Sequence, residues 1–457
     1  MTDFLREARL FFSLRSAVLT VAGLFLLTSA GVGAGLAEVA RQQAVIARIA
    51  PQQAQDVEAI ADWVSRDKDA GNAAYYTFHA TWDAPSDLAF AALGTRDVAP
   101  YVLRVRALGL EAQLYEGEIG NPEVALPGRF DLAFVLVYLA PLFVILLFHD
   151  LLSGEREAGR LRSLETAAGS ARRLWATRVA VRELALFGAL AVPFLVGALL
   201  AGTAAWKTAT VLALILGYLA FWTVVSLVVV RAARSSLANA MTLAAAWLVL
   251  TLIAPAVGHV AINAAVPLRQ GMELSLLQRT AVHRAWDIPK SETMDAFFRT
   301  HPEWASTTPV TAPFHWKWYF AFHQVGDEAV ADLARAYQAG VLRRADLSGR
   351  LGHVLPGVGV QMALHRLGDG DPQAQMAYLD RIRGFHAELR RFYYPYLFNE
   401  RPFDRADFAR APAFRPRGEG ATWPGSLLAS LVLVTLLVGA AGLLRLGRGP
   451  AQRLARA

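Results

Sequence analysis

The chain has 457 residues, of which 55% are hydrophobic and 18% charged. A soluble domain carries about 45–50% apolar and about 25% charged residues, so the composition is that of a membrane protein, and disorder of the whole is excluded. There is no cysteine, which excludes disulfides, zinc–thiolate sites and thiol nucleophiles; the net charge of +7 belongs, in so apolar a chain, to cytosolic loops rather than to a nucleic-acid surface.

Phe4-Leu5 and Leu10-Phe11-Phe12, interspersed with Arg6, Arg9 and Arg15, predict an amphipathic entry helix over residues 1–16 at the cytoplasmic interface. A membrane span needs about 20 apolar residues, and Ala17–Leu36 supplies the first. Its small residues Ser29, Ala30, Gly31 and Gly33 also fit a cleaved signal peptide, but the amphipathic start favours a retained span. A polar stretch follows over residues 39–130. In it Gln42–Arg66 has helical apolar spacing interrupted at Pro51, and Tyr75, Tyr76, Phe78 and Trp82 suggest a packed turn. Leu88–Leu93 and Tyr101–Tyr115 read as short helices.

The second span is Leu132–Leu152, followed by a charged loop over 153–183. Leu184–Gly202, Thr208–Val230 and Leu237–Val260 are the third, fourth and fifth. A second polar stretch, 261–424, contains helical periodicity at Asp327–Tyr337 and Pro372–Phe392, with another helix expected over Leu355–Leu367. After Tyr396 a Pro- and Arg-rich run reads as an extended return to the sixth span, Gly425–Leu444, and a basic tail, 445–457, ends the chain. The fold class expected is mainly α: a polytopic membrane protein with six transmembrane helices and two large, mostly helical external insertions.

Orientation follows from basic residues in short loops. Arg6, Arg9 and Arg15 precede span one. Arg156, Arg160, Arg162, Arg172, Arg173, Arg178 and Arg182 lie between spans two and three, Arg231 and Arg234 between four and five, and Arg445, Arg448, Arg453 and Arg456 after six. All fall on one face, so both termini are expected inside and residues 39–130 and 261–424 outside. Pro141, Pro193 and Pro255 mark expected kinks within spans.

No phosphate-binding G-x-x-x-x-G-K-[ST] loop and no H-E-x-x-H occurs, so the chain is not expected to hydrolyse ATP through a P-loop, nor to be an enzyme or hold a metal. His315, His323, Asp369 and Asp371 read as ordinary core or surface residues. The aromatic run Phe314, Trp316, Trp318, Tyr319 offers an external ligand or partner surface; a domain core or interfacial belt is the plainer reading.

The stretch after span two is the informative one. Ser153-Gly154 opens a new element, acids near its start complement a helix dipole, and Leu161 and Leu164 give it an apolar side. Such a charged amphipathic helix around 155–164 suits docking on a soluble partner, or an interface held by anionic lipid. Glu155-Arg156-Glu157, then Gly159, directly after an apolar span, with Leu161 and Leu164 following, resembles the coupling-helix signature of type-2 ABC permeases. Arg172–Arg173 and Arg178 are similar to that family's continuation. Arg160 stands where a Thr is usual, and Arg178 where a Lys is usual. Asn121-Pro122, Gly128–Val135, Pro141-Leu142 and Asp150–Ser153 resemble, more narrowly, members with a large external domain of uncharacterised function. Pro85–Pro100 and Leu355–Leu367 also resemble that branch.

The resemblance implies a permease subunit in the bacterial inner membrane, paired with a second permease of the same or another kind. Two copies of a separate ABC ATPase, which carry ATP and Mg, would dock at Glu155, Arg156, Glu157, Gly159, Arg160, Leu161 and Leu164. No cofactor is implied in this chain. Membrane lipid surrounds it, and an envelope protein is a further candidate partner. Export or extraction of a substrate is the expected activity. The alternative is mechanical transmission to an envelope partner with nothing translocated, and a membrane-anchored enzyme is the remaining option.

Overall fold

The computed structural model describes residues 2–115, 128–232, 235–268, 270–416 and 420–447. Asn121-Pro122, Arg234, and Arg448, Arg453 and Arg456 of the basic tail lie outside the described residues. In chain order, α1 (Thr2–Ser13) leads into α2 (Arg15–Ala47), α3 (Ile49–Asp67) and α4 (Ala70–Tyr76). Strands β1 (His79–Trp82) and β2 (Val102–Val105) pair antiparallel, with His79 opposite Val105 and Trp82 opposite Val102. Next come α5 (Glu111–Tyr115), α6 (Leu132–Phe134), a π-turn over Val135–Leu139 and α7 (Ala140–Phe148). Two short helices, α8 (Ser153–Glu157) and α9 (Leu161–Ala167), precede α10 (Ala171–Ala201), α11 (Ala205–Val230) and α12 (Ser236–Trp247). A second π-turn, Leu248–Ile253, leads into α13 (Ala254–Ala265). Then follow α14 (Gln270–Arg284), α15 (Lys290–Thr300), α16 (Trp316–Gly352), α17 (Pro356–Leu367), α18 (Pro372–Phe398), α19 (Arg405–Phe408) and α20 (Gly425–Gly447).

Six of these rods are long and apolar enough to cross a membrane, and the chain is a mainly α polytopic membrane protein. Side chains at helical spacing divide them into two faces. Leu24, Val135, Leu186, Leu214, Ile215 and Trp222 form the dry interior of the bundle. Leu199, Leu237 and Val260 face outward at 82%, 72% and 67% exposure, as lipid-facing residues do. A second core builds a separate head domain at one end of the bundle. Its residues include Ala73, Val105, Phe297, Phe320, Tyr378, Ile382 and Tyr393, from α4, β2, α15, α16 and α18.

The first span is longer than its apolar stretch. Thirty-three residues at about 1.5 Å each make α2 about 50 Å long, against about 30 Å of hydrocarbon. The projecting part carries buried Glu38 and Gln42, which bond each other at 3.2 Å and hold the head through Arg129 (2.6 Å) and Arg96 (3.3 Å). The third span likewise starts at Ala171, ahead of its apolar stretch, with Ser170 as N-cap.

Both long polar stretches send a short apolar piece into the bundle. Leu88–Leu93 lies against α2, α10 and the second span; its single tight turn, Ala89–Ala91, is fully buried. A Cβ at Gly35 would stand 1.9 Å from the Phe90 carbonyl oxygen, so glycine is what admits this contact. Asp131 fixes it from below: Oδ1 caps α6 through the Phe134 amide (2.9 Å) and Oδ2 takes the Leu93 amide (3.1 Å). The other piece, α17, packs on α11, α20 and the two π-turns. These pieces meet where Ser86 Oγ donates to the Gly368 carbonyl (2.7 Å) and the Thr95 amide to that of Gly370 (2.8 Å). Residues 39–130 and 261–424 are therefore not wholly outside the bundle. Both inserts are too short to register as spans, and both are apolar enough to be buried.

Several local expectations change. Tyr101–Tyr115 is not one helix but β2 and α5, because Val102–Val105 alternates against His79–Trp82. The aromatic turn around 75–82 is α4 running into β1, with Asp69 capping α4 at Gly71 (2.7 Å). Pro51 sits in the first turn of α3, where its missing amide costs little. Pro193 lies inside the continuous α10, whereas Pro141 and Pro255 accompany the π-turns. Beyond Tyr396 the chain stays helical to Phe398 and forms α19, with a capping box between Asp404 and Asp407.

Candidate functional site

The charged stretch after the second span does not form the single helix expected over 155–164. It folds as an elbow of α8 and α9, broken at Ala158–Arg160, where Gly159 takes φ +71°. That left-handed conformation is inexpensive only for glycine and ends α8. Glu155 and Glu157 thus stand on α8, while Leu161 and Leu164, both half-buried, stand on α9.

The acids of α8 are engaged within the chain. Glu155 Oε1 accepts from Arg178 Nη1 (2.9 Å) and Oε2 from Arg160 Nε (3.0 Å). Arg178, on α10, also donates from Nε to Glu7 of α1 (3.1 Å), and its guanidinium lies over the Trp175 ring, 5.2 Å from the centroid. Glu157 caps the fifth span, taking the Ser236 amide at 2.7 Å and Ser236 Oγ at 3.0 Å. Ser236 Oγ donates to buried Ser153 (2.8 Å), and Asn239 reaches Ser153 and the His149 carbonyl. On α9, Glu165 accepts from Trp175 Nε1 at 3.1 Å. The elbow is therefore fastened to α1, the second span, α10 and α12 at once. Arg156, Gly159, Arg160 and Arg162 form its exposed outer side.

Sequence reading found Glu155, Glu157 and Arg178, but not Glu7 and Ser236, which complete the fastening. Glu7 carried one signal, an acid among the arginines of an amphipathic helix. Ser236 carried another, a hydroxyl just before an apolar run. Neither names a partner far away in the chain.

The aromatic run is largely core. Trp318 is 2% exposed, so it offers no surface, and Trp286 packs edge-on against it at 5.1 Å. Trp316 closes over Gly71 and donates from Nε1 to Asp69 (3.0 Å); Tyr319 is half-buried between Trp286 and Phe322. Of the two readings of this run, the packing follows the plainer one, a domain core: helical i, i+3 and i+4 aromatics of α16 meet α4 and the turn before α15, and Phe314 alone of the four is open to solvent.

The head also has an open cleft of about 640 Å³ between α16 and α18. Two ion pairs stand in its walls, Asp327 with Arg390 and Glu111 with Arg383. Asp327 takes the Leu110 and Glu111 amides and Arg390 Nη2 (2.8 Å), while Arg383 forks Glu111 at 3.0 and 3.1 Å. Burial pushes the Asp327 carboxyl up, opposed by Arg390 and those amides. Among the described residues no group of three or more His, Asp or Glu gathers to hold a metal ion.

Fold and elbow together define a class: a polytopic α-helical membrane protein with a helical head and a charged elbow tied to its span ends. A family model described as a domain of unknown function (DUF3526) matches residues 272–417, which are most of the head. No curated protein and no solved structure matches the chain.

Proposed function

We propose that this chain is the membrane-spanning permease subunit of an ATP-driven ABC transporter, an exporter or envelope extractor of the bacterial inner membrane. Both termini and the elbow face the cytoplasm, and the head lies on the periplasmic side. The chain is not itself an enzyme: two copies of a separate ATPase bind ATP and Mg, and a second permease, the same or different, completes the pair. The observation that carries this reading is the elbow. Its exposed side, Arg156 to Arg162, is coupled by Glu155 and Glu157 to α1, α10 and α12. A partner pressing on it would move several span ends together. The basic excess of the loops on this face supports the orientation.

The test is affinity purification from native membranes in mild detergent, with mass spectrometry of the captured proteins. An ABC ATPase is expected with the wild type and is lost with Arg156→Glu/Arg162→Glu. Those residues are exposed, whereas charge reversal at Glu155 and Glu157 would dismantle the elbow itself. Recovery of the intact chain without an ATPase contradicts the reading. Mechanical transmission is the second reading, and the contact of both inserts with the spans favours it. Substrate accumulation in inverted vesicles separates the two, since transmission changes only a partner's state.

A further inference from the structure

The second and fifth spans contain the same local grammar. Leu139-Ala140-Pro141 closes the first π-turn and Ile253-Ala254-Pro255 the second. In each the alanine amide reaches back five residues: Ala140 donates to the Val135 carbonyl, and Ala254 to that of Val249. Each proline then has no amide to give. A regular helix would satisfy the Val137 carbonyl from residue 141, which is proline. A wide turn followed by proline is a recognised origin of a bend in a helix, and in lipid the freed carbonyls must find other donors.

The donors at the first π-turn come from other spans. Tyr218 of α11, 1% exposed, donates from Oη to the Val137 carbonyl at 3.0 Å. Trp247, the last residue of α12 before the second π-turn, donates from Nε1 to the Tyr138 carbonyl at 3.1 Å. The first π-turn is thus tied to the residue that leads into the second. Tyr138 in turn donates from Oη to Gln361 of α17 at 3.3 Å. The start of α17 sits on the same point, because a Cβ at Gly357 would lie 3.2 Å from Tyr218 Oη. Further along, α17 touches the end of α16 without side chains between them, as a Cβ on Gly359 would meet the Gly352 carbonyl oxygen at 2.4 Å. A backbone hydrogen bond inside a helix is renewed by its own geometry. These bonds persist only while α11, α12 and α17 hold their places.

We propose that the two π-turns form a paired hinge, latched by Tyr218 and Trp247, through which the head domain moves the second and fifth spans by way of α17. Displacing α17 pulls Gln361 from Tyr138 and releases the latch, and both spans change their bend together. Conversely, straightening either span pushes α17 and the head. The hinge is a property of this chain alone and does not rest on the ATPase partnership.

The test is a distance measurement between paired spin labels on the full chain in lipid nanodiscs. With no native cysteine, introduced cysteines take the labels without any native one having to be replaced first. Leu237→Cys with Val260→Cys brackets the second π-turn at exposed positions, and a straight helix would set them about 35 Å apart. Phe130→Cys with Leu146→Cys brackets the first. The unaltered latch is expected to give a distance shorter than the straight helix at the fifth span. Tyr218→Phe and Gln361→Leu are each expected to broaden the distributions at both pairs, and Pro255→Ala to lengthen the fifth-span distance. Unchanged distributions at the fifth span in both latch variants would overturn the pairing. Tyr218→Phe removes a single oxygen, so a folded variant is available even where Trp247→Phe is not.

Discussion

Two histidines of the head, buried His79 and half-buried His323, give the chain a pH dependence. Burial pushes His79 down to about 4 and His323 down to about 3, so both stay neutral in the folded head. The unfolded chain protonates them near pH 6.5. Stability is therefore full above pH 6.5 and falls as pH drops through 6.5 towards 4, by about 2 kcal/mol per histidine at pH 5. Tryptophan-fluorescence melts of the purified chain should show a lower transition at pH 5 than at pH 7.5; equal transitions would contradict the burial of these rings as neutral groups. Two glycines make a second, opposed pair. A Cβ at Gly71 would stand 1.8 Å from the Trp316 ring, so Gly71→Ala should cost about 1–3 kcal/mol. Gly384, inside α18, has nothing within 4 Å, so Gly384→Ala should gain about 0.4–1 kcal/mol. The same melts check both signs. At this scale the sequence showed which residues carry charge near the elbow, but the close approach of Gly71 to Trp316 depends on a fold that brings α4 to α16.

Elements were most legible where composition alone decides them. Every apolar run long enough to span became a helix, because a lipid-facing backbone must satisfy itself. The same principle hid the two inserts. Leu88–Leu93 and Pro356–Leu367 are apolar but too short to cross, and only packing shows that they enter the bundle. Gly159 explains why the expected docking helix is two helices: a left-handed residue was needed where the chain turns back, and a helical count of charges cannot show that. The Asp131 cap holds one insert, so Asp131→Ala should cost about 1 kcal/mol or more and leave the Leu93 amide unpaired. Hydrogen exchange over residues 86–95 should rise in that variant and stay low in Gly384→Ala. Unchanged exchange would mean that Asp131 does not fix the insert.

For the whole molecule, head and bundle share α17. Removing Ala261–Pro424 would strip α17 from α11 and α20 and expose Leu431 and Val360's apolar surroundings, so such a chain is expected to aggregate rather than persist as a bare bundle. Size-exclusion of a fluorescent fusion checks this, and a monodisperse truncated bundle would show the two parts to be independent. The two-core architecture was only half visible beforehand: the spans announce themselves by hydropathy, whereas the head is assembled from segments more than 200 residues apart, such as Thr81 Oγ1 and Tyr378 Oη at 3.0 Å. The proposed role rests on the elbow, where span ends converge on an exposed charged surface. A photo-crosslinking residue placed at Arg162 in native membranes should capture an ABC ATPase, while the same residue at the lipid-facing Leu199 should not. Capture of no ATPase at Arg162, with the chain intact and inserted, would contradict the elbow as its docking point.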